Sequence, residues 1–237
     1  MNLIFDVDDT MYDLMWPFQK AFEKVLADKT DVVCEALFSR SRVFSDIILE
    51  KEKAGEIRSE DAFYQRMKLT CEDAGFTITR EESADFEQEY RSYQTRIELF
   101  DFMKEILDIC REKQTPIALL TNGNRKNQGR KLSVLGLEQW FQEDRMFISG
   151  EIGHHKPDVR AFLKIQEQLE LPAEETWYIG DSYENDVVGA HNAGWHTIWF
   201  NHRNRSCPDE KSLADIEIKS GKDLTRLIQS WTSEQAI

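Results

Sequence analysis

Short apolar runs recur along this chain, and each ends on a polar or acidic residue. Leu3-Ile4-Phe5 runs into Asp6-Val7-Asp8-Asp9-Thr10, Pro116 to Leu120 into Thr121, Met146 to Ser149 into a loop, and Thr176 to Gly180 into Asp181. A further run begins near Thr197. Runs of this length, free of polar interruptions, read as buried strands of a parallel sheet. Helical patterns begin near Leu99, Asn127, Val159, Asn185 and Lys222 and alternate with them. That alternation predicts a doubly wound, Rossmann-like α/β core.

The alternation is interrupted once. From residue 14 to residue 96 the chain is charged and helix-periodic, with Phe18, Phe22, Val25 and Leu26 on one face and Phe44, Ile47 and Ile48 suggesting another. Thr79 followed by Glu82 is a capping-box signal. Residues 1–13 and 97–237 therefore form the expected core domain, and residues 14–96 an inserted all-helical domain.

Carboxylates do not belong in a sheet core, whereas the carboxyl ends of parallel strands face the crevice where such folds bind ligands. Asp6 and Asp8 share a side by the period of two, and their repulsion is relieved by a divalent cation. Taken alone, the acidic cluster reads equally well as a turn that stops a strand. Thr121, Asn122 and Gly123 offer a hydroxyl and a turn able to present N–H groups to an anion, or an ordinary strand-to-helix connection. Lys156-Pro157 stands at a helix entrance, where an anion is welcome. Asp181 and, five positions on, Asp186 supply oxygen ligands of the kind magnesium prefers, or helix caps.

In their order, these four pieces resemble the four motifs of the haloacid dehalogenase superfamily over nearly the whole chain. The motifs are DVDDT, the Thr121 strand end, Lys156-Pro157, and GDSYENDVVGAHNAG from Gly180 to Gly194. The resemblance implies that Asp6 is the nucleophile that forms an aspartyl-phosphate and Asp8 the acid and base, with Thr10 in support. It implies phosphate binding by Thr121, Asn122 and Lys156, with Lys156 also balancing charge on Asp6. Mg2+ would be held by Asp6, the backbone carbonyl of Asp8, Asp181 and Asp186. An acid at position 8 resembles the phosphatases of the superfamily and not its dehalogenases. The helical insertion resembles the caps placed after motif one, which close on substrate and set specificity. The runs from Thr121 to Phe141 and Trp199 to Asn201 are most similar to the nucleotidase-like branch. A small phosphorylated metabolite such as a nucleoside 5′-monophosphate is the implied substrate; sugar phosphates, phosphoglycolate, phosphotransferase or phosphomutase chemistry, and a non-catalytic binding role remain alternatives.

Composition narrows the setting. A formal net charge of −14 argues against general nucleic-acid binding. No apolar stretch approaches the roughly 20 residues of a membrane span. Asp6 comes too early for a secretory leader within this sequence. Cys34, Cys71, Cys110 and Cys207 are widely spaced and form no CxxC pair, which favours reduced thiols in the cytoplasm. His154-His155 lacks a matching ligand set, and Arg125, Lys126, Arg130 and Lys131 read as a solvated helix start in which Arg125 or Lys126 could reach substrate. Monomer and homodimer are equally compatible with the sequence.

Overall fold

The computed structural model describes residues 1–234. Six strands form one sheet: β1 (Asn2–Phe5), β2 (Ile117–Thr121), β3 (Met146–Ile148), β4 (Thr176–Gly180), β5 (His196–Phe200) and β6 (Ile216–Ile218). All pairs are parallel, in the order β3-β2-β1-β4-β5-β6. Strand β1 is central. Phe5 stands level with Leu119 on one side and Ile179 on the other, so the residues that follow emerge together at one edge of the sheet. The chain leaves β1 toward both flanks, which makes this edge the switch point of the topology.

Ten α-helices accompany the strands among the described residues. They are α1 (Met15–Val25), α2 (Cys34–Lys53), α3 (Ser59–Asp73), α4 (Arg80–Gln94), α5 (Asp101–Glu112), α6 (Arg125–Val134), α7 (Ser149–Ile152), α8 (Val159–Leu169), α9 (Gly189–Asn192) and α10 (Gly221–Glu234). A π-helical turn, Tyr183–Val188, leads into α9 where the sequence predicts an ordinary helix from Asn185.

Leu3, Phe5, Ala118, Leu119, Leu120 and Ile179 are fully buried, as strands covered on both faces must be. Against one face, Ala161, Phe162 and Ile165 of α8 pack with Tyr178 and Trp195. Trp195 donates its indole N–H to Gln166 at 2.8 Å, which satisfies its one polar atom.

The chain divides into two compact units, Met1–Asp13 with Glu98–Ile237, and Leu14–Ile97. The second is a packing of α1 to α4. Its core is aromatic: Phe18 meets Phe38, Phe86 and Tyr90 edge-on with ring centroids 5.0 to 6.4 Å apart. Phe22, Leu26 and Ile48 are buried, but Val25 and Phe44 lie only partly covered and Ile47 is exposed, so both predicted faces are narrower than expected. The Thr79 capping box is present, with the Thr79 hydroxyl accepting from the Glu82 amide and the Glu82 carboxylate from the Thr79 amide. Among the described residues, no helix is long and apolar enough to cross a membrane.

Candidate active site

Strand β1 delivers Asp6 immediately beyond its last paired residue, and the Asp6 amide still bonds to the Ile179 carbonyl at 2.9 Å. Its carboxylate is buried and held at both oxygens. Lys156 Nζ donates to Oδ1 at 2.6 Å, and the Thr10 hydroxyl to Oδ2 at 3.1 Å. Burial pushes Asp6 up to about 7; Lys156 opposes that rise, while Asp186 and Asp8 add to it. The sequence leads one to expect an Asp6 kept ionised by metal and lysine together; against the lysine alone, desolvation is the larger effect.

Lys156 spends all three ammonium protons, on Asp6, on Asp186 Oδ1 at 2.7 Å and on the Tyr178 hydroxyl at 2.9 Å. Burial works to lower its pKa, but Asp186 and Asp6 outweigh this and keep it well above the usual lysine range. Tyr178 passes its own proton to the Leu120 carbonyl at 2.9 Å, tying the lysine to the end of β2.

Asp181 follows β4. Its amide donates to the Thr10 hydroxyl at 3.1 Å and its carbonyl accepts from the Trp199 indole at 2.9 Å. Burial, with Asp9 repulsion added, drives its pKa well up against the pull of Arg205. The π-helical turn brings Asp186 back so that Oδ2 accepts from the Ser182 amide at 2.9 Å. Gly180 is required there, because a Cβ at this position would overlap the Asp186 carboxylate.

Asp6, Asp181 and Asp186 thus gather, with one carboxylate oxygen of each lying within 4.8 Å of the others. An all-oxygen, buried, acidic set of this kind suits a hard dication. Thr121, at the end of β2, buries a hydroxyl that finds no hydrogen-bond partner among the described residues. An orphaned donor at the end of the strand next to the one that delivers Asp6 suits a phosphoryl oxygen.

Other predicted residues take different places. Asn122 donates to the Lys156 carbonyl and accepts from its amide, each at 2.9 Å, so its side chain fixes the lysine's backbone. The Gly123 amide, expected to face an anion, is taken by the Ser149 hydroxyl at 2.9 Å. Asp8 lies apart from the other acids: Lys131 reaches its two oxygens at 2.7 and 2.6 Å, Tyr12 donates at 2.6 Å and Gln128 at 3.1 Å. Lys131 is therefore buried against Asp8 and not part of a solvated helix start, while Arg125 pairs with Glu151 at the surface. The helical signal was available, since a helix starting at Arg125 places residues 128 and 131 on one face. His154 pairs with Asp158, and His155 with Ser149 at the start of α7.

The haloacid dehalogenase-like hydrolase model matches residues 3–200. The chain belongs to this family. Among curated relatives, the HAD-hydrolase YfnB of Bacillus subtilis is 25% identical over 202 residues, covering 84% of this chain and 83% of that protein. Glyceraldehyde 3-phosphate phosphatase of Methanopyrus kandleri is 24% identical over 98% of both chains. Pyrimidine 5′-nucleotidase PynA of Streptococcus pneumoniae is 36% identical over 98 residues, 41% of this chain and 40% of its own. The crystal structure of YfnB bound to magnesium superposes with a TM-score of 0.70 over 96% of this chain and 97% of its own, at 23% identity. This HAD-family chain is thus a hydrolase on the family's α/β fold.

Proposed function

We propose that the chain is a magnesium-dependent phosphatase that moves the phosphoryl group of a small phosphomonoester first to Asp6 and then to water. The observation that carries this reading is the division of the two motif-one acids between separate environments. Asp6 is held by Lys156 and Thr10, whereas Asp8 has its own set of donors two residues away. Separate environments let one carboxylate act as nucleophile while the other handles protons.

In the first step an Asp6 oxygen bonds to phosphorus as the ester P–O bond breaks, and Asp8, which must first exchange its pairing with Lys131 for a proton from water, gives that proton to the leaving oxygen. In the second, water attacks the same phosphorus, Asp8 takes the water's proton, and the Asp6 carboxylate is released with inorganic phosphate. The Thr121 hydroxyl binds a phosphoryl oxygen, and Lys156 takes up another by giving up one of its three present acceptors, so that the group is oriented for in-line attack. Mg2+ held by Asp6, Asp181, Asp186 and the Asp8 carbonyl would supply charge neutralisation to the transferring group. Asn122 acts through the Lys156 backbone it clamps.

The substrate class we infer is a nucleoside 5′-monophosphate, supported by the likeness to the pyrimidine nucleotidase over 98 residues. The helical unit would serve as the specificity-setting cap, and the protein would work in the cytoplasm on soluble metabolites. Phosphate release is to be measured across nucleotides, sugar phosphates and phosphoglycolate, with Mg2+ or chelator, for wild type and Asp6→Asn. Release that requires both Mg2+ and Asp6, greatest for nucleoside monophosphates, is the expected result. Preference for a non-nucleotide would refute the substrate class, and no release from any compound would refute the phosphatase.

A further inference from the structure

The family motifs end at Gly194, yet two more cations enter the site from beyond β5. We propose that the loop His202–Arg205 is a fifth element of the site, in which Arg205 is the positioning residue of the metal-ligating carboxylate of Asp181. This inference rests on the magnesium-dependent reading above.

Arg205 donates from Nη1 to Asp181 Oδ2 at 2.9 Å, and its Nη2 lies 3.4 Å from Asp9 Oδ2. Arg203 grips the same Asp9 with Nε and Nη2, each at 2.5 Å, and extends Nη2 to Asp13 Oδ1 at 2.7 Å. Charges therefore alternate from Asp13 through Arg203, Asp9 and Arg205 to Asp181. Asp9 has φ of 65°, a left-handed backbone that aspartate adopts more readily than most residues, and the two guanidinium contacts hold its side chain there. His202 adds to that hold, its Nε2–H donating to the Asp9 carbonyl at 2.9 Å.

The loop that presents these cations is itself fixed. Asn201 accepts from the Arg205 amide at 2.7 Å and donates to the Arg205 carbonyl and to Glu217, both at 2.8 Å. Its own amide continues the ladder to the Ile218 carbonyl at 2.8 Å. A guanidinium on so rigid a loop can orient a carboxylate.

A second observation shows what that orientation is for. The amide, carbonyl and Oδ2 of Asp181 are engaged by Thr10, Trp199 and Arg205, while among the described residues Oδ1 accepts no hydrogen bond. Both carboxylate oxygens of Asp6 and of Asp186 are already engaged. Asp181 is thus the member of the three-acid cluster that keeps one carboxylate oxygen clear of protein donors, with its other oxygen fixed by Arg205, as hydrogen bonds outside a ligand shell commonly arrange.

Positioning and simple charge neutralisation predict opposite signs. If Arg205 only offsets negative charge, Arg205→Met tightens Mg2+ binding and Arg205→Lys leaves it unchanged. If Arg205 positions Asp181, both variants weaken it, because a lysine cannot reproduce the two-pronged hold. Mg2+ alone is titrated calorimetrically into metal-free wild type, both variants and Asp181→Asn, with thermal unfolding of each metal-free protein as the check on folding. Arg205→Lys, which retains a cation between Asp9 and Asp181, carries the test should Arg205→Met not fold. We expect Kd for Mg2+ to rise about 10- to 100-fold in each folded Arg205 variant. Unchanged or tighter binding in those variants, with wild type binding Mg2+, would overturn the inference and leave the phosphatase reading intact. Failure of wild type itself to bind Mg2+ would overturn both.

Discussion

At the scale of single residues, the site is a set of buried charges none of which stands alone. Lys156 and Asp6 are nearly inaccessible, with side-chain exposures of 3% and 7%, and a charge so placed must be paired or give up its proton. Asp8 and Lys131 form the second such pair, at 17% and 8%. Breaking a buried pair by removing one partner costs about 3–5 kcal/mol. Because Tyr12 and Gln128 still donate to Asp8, the lower end applies to Lys131→Met, a loss of about 3 kcal/mol that denaturant unfolding would measure. With Asp8 no longer fixed for proton transfer, kcat should fall at least about tenfold, near 1.4 kcal/mol of barrier. An unchanged kcat would show that Lys131 matters to stability alone.

At the scale of elements, the strands that carry the chemistry were the legible part. Leu3-Ile4-Phe5 and Thr176 to Gly180 are apolar runs with an abrupt acidic end, and burial on both faces leaves that signal unmixed. Strand β6 went unread, because it is three residues long and Glu217 at its middle is exposed. The π-helical turn was equally hidden: its extra residue per turn returns Asp186 to Ser182, a constraint that local propensity does not encode. Arg203 and Arg205 reach Asp9 and Asp181 through contacts spanning 24 to 196 residues of chain, so no local pattern marks them, and the helix spacing of Lys131 names a face but not the Asp8 it meets 123 residues away. The capping box of α4 is the opposite case, written within four residues and found as read. Thr79→Ala removes its hydroxyl acceptor and should cost about 1 kcal/mol, visible as a lower midpoint in chemical denaturation.

For the whole molecule, charge and burial together fix the response to pH. His202 is stacked on Phe200 and packed edge-on to Phe100, and burial holds its pKa below the usual histidine range. The unfolded chain therefore binds a proton that the folded one refuses. Stability is fully present above about pH 6.5, the ordinary histidine value, and declines as pH falls through it toward the lower folded value. Asp6, pushed up to about 7, acts in the opposite sense over the same window. Thermal unfolding from about pH 8 to about pH 5.5 is therefore read as a difference: His202→Phe should gain on wild type as pH falls, and parallel curves would show that His202 contributes nothing.

The central claim is that Asp6 carries the phosphoryl group, and the most direct measurement is to catch it there. A single turnover of the preferred phosphomonoester with Mg2+, quenched in acid and followed by peptide mass analysis, should place one phosphoryl group on the peptide containing Asp6. It should appear and decay as free phosphate rises, and be missing in Asp6→Asn. Full phosphate release with no phosphoryl group ever found on that peptide would contradict the account.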